Sequence, residues 1–464
     1  MTLQVAIVHM GQQNFNHCSN LFVYDPAMQE VKGAYTSANN KASGILPVGH
    51  LPGVEVLIEM QVPEAMTSYG ELELQSLSHA FLNTGFKSTR ANCPAGDFGC
   101  SQACEIDINC VEGDGWERVR PSVVRINTPT LWCTGVLVNN TAYDSIPYII
   151  TAEHCLNTQY YADLSVFQFN YESAECFGED GPLDMSIAGA DYLTHGDSLD
   201  FSLIRLSEIP PASFGAYYAG WDRSTFQTTA TATIHHPFGD VKKISHDADI
   251  PSIPAQPGDV PYNGLEDYHY FSYWWVRNWE VGSTEGGSSG GPLFNQARRV
   301  IGTLSGGNAA CGDSIDYDAE NDRVIYNPAP NYDDYFTRFG MAWDYEEEKG
   351  NALKSWLDPE NLDPMTLGGF DPTSTEPTQF EQGSRFQVFP NPASDRFYIT
   401  SKEALSADAS YSLVNLSGAL VLRGQLQGEG TVEIQCASLP AGIYLLTICD
   451  DSYRERHKLM MIAQ

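Results

Sequence analysis

Three side chains in this sequence could together cleave an acyl bond. Ser289 lies in the turn Gly286-Gly287-Ser288-Ser289-Gly290-Gly291-Pro292. A Gly-rich turn lets the backbone double back, so that neighbouring N–H groups, here those of Gly287 and Ser289, can point at one spot. Those amides can hold a developing oxyanion while the serine hydroxyl attacks from beside them. His154 follows Pro147-Tyr148-Ile149-Ile150-Thr151-Ala152, an apolar run that reads as a buried strand, and a histidine at such a strand end can be held rigidly. Asp200 opens the run Phe201-Ser202-Leu203-Ile204-Arg205-Leu206, where a carboxylate is poised to fix an imidazole tautomer. Each residue alone has a plainer reading, because Gly/Ser runs are mostly flexible turns and a lone histidine is usually structural. Three together, each at the end of a strand-like run, favour nucleophilic chemistry.

The elements that must position them are short strands. A chain of 464 residues is too long for one core, and apolar runs broken by turn residues outnumber helical stretches, so the class is mainly β. Leu131 to Val138 reads as a buried strand, Trp274 to Val281 as another, and Val300 to Leu304 as a third. The last runs into Ser305-Gly306-Gly307, a Gly-rich edge able to pair with an extended peptide by strand addition. Apolar residues at Ala352, Leu353, Trp356 and Leu357 predict one amphipathic helix over 346–357, stopped by Asp358-Pro359.

Residues 1–92 hold short β runs at 21–24, 33–36 and 54–59 and read as an N-terminal β domain. His9, His17, His50 and His79 fall there without a catalytic set and are expected to be structural or surface residues. Lys87 and Arg90 precede a Gly- and Cys-rich junction and mark where processing could free the next domain. The chemistry lies in 93–370, residues 371–385 form a linker, and 386–464 return to alternating strands of a β-sandwich in which Cys436 and Cys449 could pair.

A net charge of −34 excludes nucleic acid as a partner, which needs basic surface, and suits a solvated acidic exterior. No run is long and apolar enough for a transmembrane helix, and residues 1–10 show no signal peptide. The 11 cysteines lack paired CxxC spacing with histidines, so zinc is not expected and disulfides in an oxidising compartment fit better. An oxidising compartment without a visible signal peptide suggests that the N-terminus is truncated or its start misassigned.

The order His154, Asp200, Ser289 is that of chymotrypsin-type enzymes, and the turn at Ser289 lacks the Gly-x-Ser-x-Gly elbow of the lipase-like hydrolases. Cys104-Glu105-Ile106-Asp107 to Gly113-Asp114-Gly115, Cys133-Thr134-Gly135, Thr151-Ala152-Glu153-His154-Cys155, Ala219-Gly220-Trp221-Asp222, Ile234-His235-His236-Pro237, Gly287-Ser288-Ser289-Gly290 and Ser355-Trp356-Leu357-Asp358-Pro359 resemble the bacterial lysyl endopeptidases. The resemblance covers about 101–365. It implies a chymotrypsin-like double β-barrel and a secreted or surface serine endopeptidase that cleaves after lysine, with arginine left open. It also implies His154, Asp200 and Ser289 as the triad, Gly287 and Ser289 as the oxyanion hole, no cofactor and no metal.

The resemblance further implies three disulfides, Cys104–Cys311, Cys110–Cys176 and Cys133–Cys155; apart from it, Cys93 with Cys100 is a candidate extra pair, which leaves Cys18 over. For substrate choice, trypsin's selecting aspartate corresponds to Ser283 here, whereas the lysyl endopeptidases carry theirs on a later strand, where Asp334 stands and Asp333 is one register away. Ser305 stands in place of a family histidine, beside Gly306 and Gly307. Ser288 replaces the aspartate through which trypsin-like zymogens switch, so activation is expected instead from removal of an N-terminal domain that covers or chaperones the cleft. Asp313, Asp316, Asp318, Glu320 and Asp322 look inserted and, lacking an EF-hand glycine, read as a solvated acidic loop rather than a calcium site.

Val388-Phe389-Pro390-Asn391-Pro392, Leu413 to Gly418, Leu439-Pro440-Ala441-Gly442-Ile443-Tyr444 and Lys458 resemble the type IX secretion sorting domain of Bacteroidetes, which implies export through that machinery. Two competing readings stand beside the lysyl peptidase. One is a catalytically silent surface adhesin on the same fold, and the other is a protease of broad or acidic specificity.

Overall fold

The computed structural model describes residues 98–373 apart from 226–227, 255–269, 319–322, 330–331 and 347–349, together with parts of 20–62, residue 74, and parts of 386–461. The chain forms two compact units, 1–372 and 373–464.

Within the first unit two antiparallel sheets make a chymotrypsin-like double β-barrel. One sheet runs, neighbour to neighbour, Ala190–Gly196, Phe201–Leu206, Tyr148–Thr151, Trp132–Val138, Val123–Asn127, Val166–Phe169 and Ser186–Ala188. Its central strands are apolar on both faces. Val123, Val136, Ile150 and Leu203 enter a core shared with the other sheet, while their neighbours Val124, Leu137, Ile149 and Ile204 fill a separate core on the opposite face. Period-two alternation between two buried cores explains why these strands read as unbroken apolar runs.

The other sheet runs Tyr273–Val276, Asp334–Arg338, Val300–Gly307, Pro292–Asn295, Thr231–His235, Lys243–Asp247 and Ile106–Asp107. Ile234, Ile244, Phe294 and Val300 face the shared core, and Trp274, Val276, Leu293, Ile301 and Phe336 line its own. Trp221, fully buried in the shared core, donates its indole N–H to the Asn139 carbonyl at 2.9 Å and packs against Phe339 and Trp343. Three disulfides brace the unit: Cys104–Cys311, Cys110–Cys176 and Cys133–Cys155. Cys100 is also disulfide-bonded, whereas Cys18 and Cys93 lie outside the described residues.

Several expectations are corrected. The helix expected over 346–357 is reduced to one turn, Lys354–Leu357, and a separate short helix, Phe339–Trp343, supplies the packing. Ala352, Leu353 and Leu357 are buried as the periodicity required, but buried apolar residues on a closing segment do not by themselves make a long helix. The strand expected at 54–59 forms at Leu57–Gln61 and is mostly exposed. Cys436, for which Cys449 was a candidate partner, is a free, buried thiol. The acids at 313–318 lie on a strand, Cys311–Asp318, paired with Arg323–Pro328 in a two-stranded hairpin rather than in an irregular loop.

Asn20–Tyr24, Val31–Tyr35 and Leu57–Gln61 form a three-stranded sheet. Val31 to Tyr35 line a cavity of about 520 Å³ whose other wall includes Ser186–Ala188, Asp191, Ser207 and Glu208. Ser207 follows the Phe201–Leu206 strand whereas Asp200 precedes it, so this contact lies about 20 Å from Asp200 along that strand. In the second unit, Phe386–Phe389, Arg396–Ser401 and Thr431–Gln435 form one sheet and four further strands another, around Phe397, Leu413, Leu446 and Leu459. Among the described residues no helix is long and apolar enough to cross a membrane.

Cys133–Cys155 closes a loop with a sequence separation of 22, which ties the Trp132–Val138 strand to the segment after His154. Replacing both cysteines by alanine is expected to cost about 3 kcal/mol of stability, the chain-entropy value for a loop of this length. Urea unfolding of the double variant checks this, and an unchanged midpoint would count against it.

Candidate active site

His154 follows the Tyr148–Thr151 strand, and Asp200 immediately precedes the Phe201–Leu206 strand. Ser202 pairs with Thr151 between these two strands, which sets the two side chains side by side. The Asp200 carboxylate is buried and accepts from the His154 backbone N–H at 3.0 Å, and both its oxygens lie 3.0 Å from the ring Nδ1. A carboxylate on Nδ1 selects the tautomer that leaves a lone pair on Nε2. Asp200 adopts a left-handed φ of 56°, a conformation costly for a side-chain-bearing residue and concentrated at functional sites. Burial works against the imidazolium, but the hydrogen bond and the charge of Asp200 outweigh it and raise the His154 pKa above its ordinary value.

Ser289 is brought to this pair by its backbone. Its carbonyl accepts from Thr134 N–H at 2.8 Å and lies 3.8 Å from Cys155 Sγ, one residue beyond His154. Gly290 makes that approach sterically feasible. Its φ is +78°, and a Cβ there would fall 2.2 Å from Thr151 Oγ1 and 2.4 Å from the Thr134 carbonyl. Gly287, at φ +97°, has its carbonyl held by Thr134 Oγ1 at 3.0 Å. The N–H groups of Gly287 and Ser289 make no hydrogen bond among the described residues, which leaves two donors of one turn free for an oxyanion. The Ser289 hydroxyl likewise makes no hydrogen bond to His154, a looseness common in such sites before substrate binds.

Asp334 begins the Asp334–Arg338 strand and pairs with Gly307 and Val276. Its carboxylate is buried and accepts from Trp279 Nε1 at 2.6 Å and Thr284 Oγ1 at 2.8 Å. A Cβ on Gly307 would sit 2.2 Å from Asp334 Oδ1, so only glycine allows that approach. Burial pushes the Asp334 pKa up to about 7, against the opposing hydrogen bonds of Trp279 and Thr284. Asp333 instead accepts from Trp275 Nε1 and the Tyr335 hydroxyl, each at 2.8 Å. Asp334 is therefore the acid that bridges Gly307 and the segment leading to Ser289. Gly306 and Gly307 are half-buried at the end of their strand.

Ser305 is buried, and its hydroxyl meets Thr337 Oγ1 at 2.9 Å; Thr337 in turn donates to the carbonyl of Leu199. Its connection to Asp200 thus runs through Thr337 and the preceding residue rather than directly. Trp279, Thr284 and Thr337 were not foreseen from the sequence, where nothing in their spacing sets them apart from ordinary core and turn residues. Among the described residues no cluster of three or more His, Cys, Asp or Glu is arranged to hold a metal ion.

Residues 98–323 match the family model described as Lysyl endopeptidase, C-terminal domain, and residues 387–462 match Secretion system C-terminal sorting domain. A lysyl endopeptidase of Pseudomonas aeruginosa is 27% identical over 264 residues, covering 53% of this chain and 51% of that protein. An endo-acting ulvan lyase of Formosa agariphila is 23% identical over 325 residues, covering 63% and 59%. The chain thus spans between half and three fifths of the length of these curated relatives. Among solved structures, a Glu endopeptidase aligns at 16% identity over 46% of this chain and 86% of its own, with a TM-score of 0.26. Kallikrein-related peptidase 10 aligns at 15% identity over 52% of this chain and 100% of its own, with a TM-score of 0.31.

The His154–Asp200 geometry predicts a titration that NMR can follow. The imidazole of His154 is expected to titrate above about 6.5, the ordinary histidine value. In Asp200→Asn, burial is left unopposed by the carboxylate charge, so the midpoint should fall below that value. A midpoint unmoved by the substitution would mean that Asp200 does not govern this ring.

Proposed function

We propose that this chain, which carries a lysyl endopeptidase C-terminal domain and a secretion-system sorting domain, is a serine endopeptidase that cleaves after lysine and acts outside the cell or on its surface. The observation that carries the reading is the free N–H pair of Gly287 and Ser289, in a turn held beside an imidazole whose Nδ1 is engaged by a buried carboxylate. Ser289 Oγ attacks the scissile carbonyl as His154 Nε2 takes its proton, and the two N–H groups receive the oxyanion. His154 then delivers the proton to the leaving amine, and water repeats the sequence on the acyl-enzyme. Asp200 holds the ring and stabilises the imidazolium throughout.

Lysine selection follows from Asp334, whose carboxylate waits between Gly307 and Thr284 for an ammonium group. Arginine is the second substrate of the same pocket, and protein or peptide chains bearing either residue are the partners. The sorting domain directs export by the type IX secretion machinery. No cofactor is required by this chemistry.

Ser289→Ala is expected to fold normally and to lose several orders of magnitude in kcat, as well as labelling by a fluorophosphonate. Wild-type protein that resists the label would favour the silent adhesin. Asp334→Asn should selectively lose lysyl and arginyl peptides from a peptide-library cleavage profile, and an unchanged profile would move the pocket first to Asp333. Because the pKa of Asp334 is about 7, lysyl cleavage should carry an extra acid limb near that pH. A substrate with a neutral side chain at that position should show only the His154 limb, and identical limbs for both substrates would contradict the assignment.

A further inference from the structure

A buried polar cluster outside the candidate triad lies next to Ser289 in the chain. Ser288 is buried, and its Oγ accepts from Glu285 N–H at 3.1 Å and lies 2.7 Å from Nδ1 of His235. His235 is itself fully buried, with Nε2 3.2 Å from Ser245 Oγ, and Ser245 donates to the Ser283 carbonyl at 2.6 Å.

A hydroxyl has a single proton, and Ser245 commits its own to Ser283. Ser245 can therefore only accept from His235, which fixes the Nε2–H tautomer and leaves a lone pair on Nδ1. Ser288 must then donate to that lone pair. One continuous run of hydrogen bonds links Glu285, Ser288, His235, Ser245 and Ser283, and so fixes the segment that carries Gly287 and Ser289 at two points. Burial and the nearby Lys243 pull the His235 pKa down to about 3, which keeps the ring neutral, as this run of bonds requires.

Glu105 closes the back of the cluster. It is buried, its carboxyl lies 3.7 Å from His235 Nε2, and neither of its oxygens has a hydrogen-bond partner among the described residues. Burial, and then the nearby Glu285, raise its pKa well above the ordinary range, which favours the neutral acid. The segment that brings it in is firmly fixed. Ser101 donates to Asp240, Gln102 N–H donates to Glu285 at 2.8 Å, and Cys104 is bonded to Cys311.

We propose that His235 is a positioning residue for the proposed peptidase reaction: by accepting the Ser288 hydroxyl it holds the Gly287 and Ser289 N–H groups in register, with Glu105 wedged behind it. The job that a charged chain terminus performs through an aspartate in trypsin-like enzymes is done here by a neutral histidine and a serine, backed by an internal, disulfide-tethered segment. No new amino terminus has to enter.

The inference rests on the serine endopeptidase reading, and the test separates the two. Wild type, His235→Ala, His235→Asn, His235→Gln and Ser288→Ala are compared for thermal stability, fluorophosphonate labelling rate, and kcat and KM on a lysyl peptide. An asparagine amide reaches the position of Nδ1 and can accept from Ser288, whereas a glutamine amide reaches that of Nε2. His235→Ala and Ser288→Ala should lower kcat and labelling by about 10- to 100-fold with KM within about threefold, on the scale of impairing one oxyanion donor. His235→Asn should recover most of that loss and His235→Gln should not. Equal activity of the Asn and Gln variants, or kcat within threefold of wild type in Ser288→Ala, overturns the proposal while leaving the peptidase reading intact. If His235→Ala does not fold, Ser288→Ala and His235→Asn decide. Wild type that fails to label at all overturns both.

Discussion

The arrangement depends on a steric condition at one residue. Gly290 lies so close to Thr151 Oγ1 and the Thr134 carbonyl that any side chain would force the turn away. Through that contact a loop belonging to one sheet is pressed against strands of the other, and Ser289 arrives next to the segment carrying His154 by a main-chain bond from Thr134. Backbone hydrogen bonds to a strand interior are less variable than contacts between side chains on loops. The position of Ser289 is thus inherited from the packing of the two sheets, and the shared core of Val136, Ile150, Leu203, Ile234 and Val300 is as necessary to it as any polar group.

The same condition explains why the polar groups around the site are buried. Pressing the turn home removes water from Asp200, Ser288, His235 and Asp334, and each must then find partners within the protein. Asp200 finds two from His154, Asp334 finds Trp279 and Thr284, and Ser288 finds His235 and Glu285. Among the described residues Glu105 finds none for either carboxyl oxygen, and its burial raises its pKa and so favours the neutral form. The net charge of −34 therefore says little about the site, where the acids that matter are out of solvent and individually partnered or neutralised.

Legibility in the sequence divides along the same line. Strands with two buried faces announce themselves as apolar runs, so Trp132–Val138 and Tyr148–Thr151 appear within a residue or two of the expected bounds. The candidate triad was legible because each member borders such a run. The helix over 346–357 misled because apolar spacing records burial, and Ala352, Leu353 and Leu357 achieve burial around a single turn. Trp279, Thr284 and His235 were illegible as site residues, since their roles arise from tertiary contacts to residues 55 and 50 positions away, for Trp279 and Thr284, and 53 away for His235. Spacing along the chain carries no trace of such a contact.

Under the proposed lysyl reading, the environment of Asp334 constrains how such a pocket would select its substrate. With a pKa of about 7, Asp334 lies between an acid and a carboxylate at neutral pH, because burial opposes the charge more than Trp279 and Thr284 support it. An arriving ammonium group adds the missing counter-charge and shifts that balance to the ionised form, so binding of a lysyl side chain is coupled to release of a proton. A neutral side chain of similar length offers no such compensation and meets a protonated, already hydrogen-bonded acid. In the proposed peptidase, discrimination would come from the difference between those two end states rather than from a permanently charged pocket. An unpaired buried carboxylate would have cost stability in every molecule awaiting substrate, and the partly neutral acid avoids that cost.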